Sequence, residues 1–281
     1  MAELLKGAPV SAAMIEDMKA RCDALAAAGM TPTLAVVRIG AREDDLSYER
    51  GILKRCEQVG VKADVRQLPA DVSAEEYYAV LRSLAADDAV HGILTFRPLP
   101  AHIDDRAARA LIPAAKDVDG CTDASLAGVF TGSGEGFAPC TAEAVLRIFD
   151  YYGIDVSGKR VTVIGRSLVI GRPVAMMLMA RGATPTICHT KTVNVPDEAA
   201  GADIIIAAAG QMESVDGAFV REGQIVIDVG IAWNDKKSKL CGDVDFDAVA
   251  PVVSAITPVP GGVGAVTTSV LISHVITAAE R

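Results

Sequence analysis

The sequence predicts an α/β protein of two domains, the second a doubly wound, Rossmann-like parallel sheet, with a cleft between the two. Three observations predict this. Apolar runs of strand length alternate with helical stretches along most of the chain. The run VTVI at 161–164 breaks at Gly165-Arg166-Ser167 and resumes at Gly171-Arg172-Pro173 as the start of a helix. With 281 residues, 51% of them hydrophobic, the chain is long enough for two proper cores.

The elements follow in order. Residues 9–28 form a helix of Ala, Met and Leu, and 33–39 (TLAVVRI) a strand. Residues 44–59 form a helix that Asp44 or Asp45 can cap and Gly60 ends. A strand at 61–68, a helix at 73–86 and a strand at 90–95 complete a β-α-β-α-β unit, which turns sharply at Arg97-Pro98-Leu99-Pro100. The stretch 112–140, with KDVDG (116–120) and GSGEG (132–136), reads as the loop-rich rim of the cleft. A helix at 141–152, capped by Thr141, bridges to the second domain at about 153–256. There the strands 161–164, 184–188, 203–209 and 224–229 alternate with helices, the first of them 174–181. ITPVPGGVGAVTT (256–268) leads into a last apolar helix to about 279, expected to be buried against the first domain.

Strand, glycine turn and helix start form a geometry that cradles phosphate, because backbone N–H groups and the positive end of the helix dipole converge. The spacing from Gly165 to Gly171 is not GxGxxG and also suits an ordinary βα turn. The small residues Ala208-Ala209-Gly210 at a later strand end favour a ligand. An NAD site usually places an acid at the end of the second strand, on the ribose 2′-OH. Here that end reads His189-Thr190-Lys191-Thr192. With Arg166 it makes a cationic corner suited to a 2′-phosphate, so NADP is expected over NAD. The competing reading is that Arg166 and Lys191 are solvated charges.

Composition excludes several classes. A net charge of −9 without a basic run argues against nucleic acid. No apolar run approaches the ~20 residues of a membrane span. Residues 1–10 carry no apolar leader pattern. The six dispersed cysteines read as reduced thiols of a cytoplasmic protein, and the four histidines show no metal spacing, so no metal is expected.

Several strings fit one family together: Ser47-Tyr48, Pro98-Leu99-Pro100, KDVDG, Pro139-Cys140-Thr141, the glycine turn, Asp228-Val229-Gly230, Gly242-Asp243-Val244 and PVPGGVG at 258–264. In order and spacing the chain resembles the bifunctional methylenetetrahydrofolate dehydrogenase/methenyltetrahydrofolate cyclohydrolase family (FolD type). The resemblance implies a folate-binding catalytic domain at 1–140 plus 265–281 and an NADP-binding domain at 141–264. It also implies homodimers paired through the cofactor domains. The implied reactions are NADP-dependent oxidation of 5,10-methylenetetrahydrofolate, then hydrolysis of the methenyl product to 10-formyltetrahydrofolate. For folate it implies Tyr48, Pro98, Leu99, Asp119, Pro260, Gly261 and Gly262. Tyr48 stacks on the ligand and Asp119 meets the pterin. For NADP it implies Gly165, Arg166, Ser167, Gly171, Pro173, His189, Thr190, Lys191, Ala209, Gly210, Asp228, Gly230, Ile231 and Thr267. Tyr48 also suits an ordinary half-buried helix position, and Asp117 reads as a turn cap. Ala265 and Val266, where the family has Pro and Met, read as packing changes.

Two departures concern the chemistry. The catalytic Lys position of the family is Ile52 here, and the Gln position before Pro-Leu-Pro is Phe96. At roughly 100° per residue Ile52 lies about 40° round the helix from Tyr48, Lys54 about 120° away, and Arg55 on the same face but about 10 Å along the axis. Neither cation replaces the amine in place. Arg97 is a further candidate if the turn re-aims it. Hydride transfer asks mainly for positioning, whereas hydrolysis asks for a placed water and proton transfers. The sequence therefore predicts a dehydrogenase with weak cyclohydrolase activity, against full bifunctionality or a non-catalytic folate- and NADP-binding protein.

Overall fold

The computed structural model describes residues 2–235 and 237–281. In chain order, β1 (Glu3–Leu4) and α1 (Gly7–Ala27) precede β2 (Thr33–Ile39), α2 (Glu43–Val59), β3 (Lys62–Leu68), α3 (Ala74–Ala86), β4 (Gly92–Thr95) and α4 (Asp105–Ala110). A 3-10 turn at Ala114–Lys116 leads to α5 (Asp123–Thr131) and α6 (Cys140–Tyr151). Then come β5 (Arg160–Ile164), α7 (Gly171–Ala180), β6 (Thr184–Cys188), α8 (Val195–Ala200), β7 (Ile204–Ala207) and, after a 3-10 turn at Gly217–Phe219, β8 (Ile225–Asp228). The chain ends with β9 (Ala232–Asn234), β10 (Lys239–Cys241), α9 (Phe246–Val249), β11 (Ala255–Ile256) and α10 (Gly264–Ala279).

Two compact units result. One comprises Met1–Ala12 with Thr141–Thr267, the other Ala13–Cys140 with Thr268–Arg281. The first holds a six-stranded parallel sheet in the order β1-β11-β8-β7-β5-β6. Its central strands are buried on both faces and read as unbroken apolar runs, as parallel strands under helices must. The second holds a three-stranded parallel sheet, β3-β2-β4, with β2 central and buried along nearly its whole length. In that unit α10 buries Val270, Leu271, Ile272, Val275 and Ile276 completely. Its His274 Nδ1 lies 2.8 Å from the Val118 carbonyl, which can only accept, so that nitrogen carries the proton.

The structure differs from the sequence expectation at several elements. Residues 1–12 group with 141–267 instead of with the rest of 1–140, because β1 pairs with β11 in the six-stranded sheet. Neither Asp44 nor Asp45 caps α2; the N-cap position is Arg42, and all three acids Glu43, Asp44 and Asp45 lie in the first turn, where the helix dipole favours them. Thr141 is not a cap, since α6 begins at Cys140. The stretch 112–140 contains α5, capped by the Thr122 side chain, and α4 precedes it. An antiparallel hairpin, β9–β10, follows β8. Among the described residues no helix is long and apolar enough to cross a membrane.

Candidate functional site

In the unit with the six-stranded sheet, a pocket of about 410 Å³ opens at the carboxyl ends of β5, β6 and β7. Gly165, Arg166 and Ser167 line it from the turn after β5, His189 and Thr190 from the end of β6, and Ala208 and Ala209 from the end of β7. The turn is glycine for steric reasons. Gly165 has φ +128°, and a Cβ there would strike the Ala208 carbonyl oxygen. A Cβ at Gly171, the first residue of α7, would strike the Gly165 carbonyl. Strand, turn and helix start are thus packed backbone to backbone, leaving the pocket to a ligand. His189 Nδ1 accepts the Lys191 N–H at 3.1 Å. The lining includes one arginine and no carboxylate. Size, glycine cradle and cationic corner fit a dinucleotide.

Other cofactor candidates lie outside the lining. The Lys191 side chain is exposed and does not reach it. Pro173 is buried in the first turn of α7. Ile231 is exposed. Thr267 Oγ1 donates to the Gly264 carbonyl, one turn back in α10. Asp228 is buried, and its carboxylate accepts the N–H groups of Gly230, Asp243 and Val244 at 3.0, 2.9 and 3.1 Å. Burial nevertheless pushes its pKa up to about 7, against those hydrogen bonds. Asp228 fastens the backbone after β8, and Asp243 in turn accepts the Gly210 N–H at 2.9 Å. Sequence reasoning missed Ser214, in a loop, and Phe219, in the 3-10 turn after β7, among the lining residues. Of the folate candidates, Pro260, Gly261 and Gly262 belong to this unit, and the Gly261 carbonyl accepts the Gly7 N–H at 2.8 Å.

The other unit gathers Tyr48, Phe96, Pro98, Leu99 and Asp119. KDVDG is built residue by residue. Lys116 donates to the Ala85 and Asp87 carbonyls at 3.0 and 2.7 Å, closing the end of α3. Asp117 is fully buried and accepts the N–H groups of Cys121 and Thr122 at 3.0 and 2.8 Å, so it holds the turn. Val118 is in the core. Asp119 is left facing outward, with 30% of its side chain exposed. Burial raises its pKa to about 6; Arg97 opposes the rise and Asp117 adds to it.

Ile52 is fully buried in α2, and Phe96 is 8% exposed. The Phe96 ring lies 5.6 Å from that of Tyr48, tilted by 38°. Tyr48 keeps 41% of its surface exposed. Desolvation, then the charge of Asp119, still raises its phenol well above the usual range, so it stays a neutral O–H. Phe96, Pro98 and Leu99 also line a cavity of about 230 Å³ with Arg42 and Asp45. Arg97 does not point away from this region: its Nη2 lies 3.1 Å from Asp119 Oδ2. Lys54 is exposed and Arg55 pairs with Gln58 at 3.2 Å, so neither stands in for an amine at position 52.

Comparison with known proteins matches both halves of the chain. Residues 5–119 match the catalytic domain of tetrahydrofolate dehydrogenase/cyclohydrolase, and residues 139–281 its NAD(P)-binding domain. The bifunctional protein FolD of Carboxydothermus hydrogenoformans is 48% identical over 281 residues, covering 100% of this chain and 98% of that protein. The crystal structure of the bifunctional FolD enzyme from Campylobacter jejuni superposes with a TM-score of 0.97 at 38% identity, over 100% of this chain and 99% of that one. The Trypanosoma brucei FolD structure, complexed with NADP cofactor and an inhibitor, gives a TM-score of 0.92 at 33% identity, over 100% and 98%. The glycine cradle and the Asp119 turn thus sit in a chain that belongs, along its whole length, to the tetrahydrofolate dehydrogenase/cyclohydrolase family of enzymes.

Proposed function

We propose that this enzyme oxidises 5,10-methylenetetrahydrofolate to the methenyl form with NADP and hydrolyses the methenyl product poorly. One observation carries the reading. The two positions that would bring an amine and an amide to the reacting carbon hold a fully buried Ile52 and a Phe96 packed on Tyr48. Asp119 and the aromatic ledge of Tyr48 remain to bind and orient a pterin. A carboxylate suits the amino-pyrimidine edge, which offers adjacent N–H donors. NADP, when bound, supplies the hydride acceptor. The residues proposed to hold it are Gly165, Arg166, Ser167, His189 and Thr190, with Arg166 on the 2′-phosphate. Hydride departure leaves a cation shared by the folate nitrogens, which needs no protein base. Hydrolysis does need one, and losing a general acid–base group costs about 10²–10⁴-fold.

A second reading, full bifunctionality, is favoured by the bifunctional name of the relative at 48% identity. Water would then be handled by Tyr48, Asp119 or Arg97. Restoring the pair, Ile52→Lys with Phe96→Gln, tests between the two. Under the first reading methenyl hydrolysis rises at least tenfold while dehydrogenation persists. No gain in a folded double variant contradicts it. Both changes are made together because a lone buried lysine tends to lose its proton. The proposal extends to a homodimer paired through the cofactor domains and to a cytoplasmic location, in keeping with cysteines that form no disulfide.

A further inference from the structure

The Asp119 turn is tied to α4 by a closed ring of four charged side chains and one backbone carbonyl. Arg97 Nη2 donates to Asp119 Oδ2 at 3.1 Å, and its Nη1 lies 3.9 Å from Asp105 Oδ1. Asp105 Oδ2 accepts from Arg109 Nε at 2.9 Å, one helical turn on in α4. Arg109 Nη1 donates to the Cys121 carbonyl at 3.0 Å, two residues past Asp119. The ring leaves the turn at Asp119 and returns to it at Cys121. Asp105 Oδ1 is buried and has no hydrogen-bond partner. A buried carboxylate oxygen left that way costs free energy unless a cation lies close, and here the cation is Arg97. Asp105 therefore holds one nitrogen of the guanidinium electrostatically, while Asp119 accepts a hydrogen bond from the other. Only one of the roughly four lone-pair positions of Asp119 is used by that bond, so the carboxylate keeps acceptors for a ligand.

We propose that Arg97, anchored by Asp105, is a positioning residue that fixes the orientation and the negative charge of Asp119 for recognition of the pterin edge of a folate. This rests on the reading that Asp119 binds the pterin. It assigns to Arg97 a role in ligand binding in place of proton transfer.

Tetrahydrofolate binding, followed by titration calorimetry from pH 5.5 to 8.5, separates this role from a merely structural one. The groups acting on or feeling Asp119 are Arg97 after β4, Asp117 and Cys121 on its own turn, Tyr48 on α2 and His274 on α10. Binding needs the ionised carboxylate, so wild-type affinity falls below about pH 6. Removing the opposing cation with Arg97→Leu should weaken binding at least tenfold at pH 6.5 and move the acid limb upward by about one pH unit. Arg97→Lys should return most of that shift. Asp105→Asn should raise the Kd several-fold and leave NADP binding unchanged. If Arg97→Leu misfolds, Arg97→Lys and Asp105→Asn still decide the matter through the same two readouts. Asp119→Asn serves as the control. If it binds tetrahydrofolate as the wild type does, the folate reading fails and this inference with it. If it loses binding while the Arg97 and Asp105 variants keep both affinity and limb, the inference alone is overturned.

Discussion

At Asp119 one carboxylate meets opposing influences. Burial lifts its pKa to about 6, while Arg97 at 3.1 Å pulls it down. The result is a side chain ionised at neutral pH and half protonated only a unit below. Replacing it with Asn removes the charge proposed to pair with the pterin donors. Folate binding should weaken by about 1.5–3 kcal/mol, the value of a charged hydrogen bond, and NADP binding should stay within twofold. Separate titrations with each ligand check this, and normal folate binding would move Asp119 to a structural role beside Asp117. In the other unit, among the described residues, Arg166 is the one cationic side chain in a pocket lined by no acid. Arg166→Ala should raise KM for NADP at least tenfold more than KM for NAD. Equal effects, or a wild type that prefers NAD, would return Arg166 to the solvated surface.

At the scale of elements, the backbone after β8 depends on Asp228. Its carboxyl is raised to about 7 by burial, so the folded chain binds a proton that the unfolded chain releases at ordinary carboxylate pH. The sign follows from linkage: this group's contribution to stability is greatest at low pH and is lost as pH rises toward 7. Asp228→Asn removes a titrating group and should erase that slope, so the variant's deficit is larger at pH 5.5 than at pH 8. Denaturant unfolding at the two pH values measures it; a deficit that grows with pH would contradict the assignment. The central strands were legible because parallel strands buried on both faces are continuous apolar runs, and β2 begins and ends where the pattern does. Several short elements were not. Two-residue β1 has no pattern of its own and is created by its partner β11. Hairpin β9–β10 is short and largely exposed. For α4 a signal did exist, the Asp104 cap followed by the Asp105–Arg109 pair one turn apart. For α5 the cap at Thr122 was the corresponding sign. With no helix read at 105–110, the ring that holds Asp119 stayed hidden. Position 97 shows the same limit. Strand alternation sends it away from Phe96, and only tertiary placement shows its guanidinium on Asp119.

For the whole molecule the question is what becomes of the methenyl product. Ile52 is fully buried and apolar, and Phe96 packs its ring against that of Tyr48. The chain that oxidises the folate is therefore expected to release the methenyl cation instead of passing it on to water, leaving hydrolysis to another catalyst. The most direct test mixes wild-type enzyme with methylenetetrahydrofolate and NADP and follows NADPH and methenyltetrahydrofolate absorbance separately in one cuvette. The expected result is methenyl accumulating nearly mole for mole with NADPH. NADPH forming while methenyl stays at a low steady level would contradict it, and would mean that Arg97, Tyr48 or Asp119 positions the water.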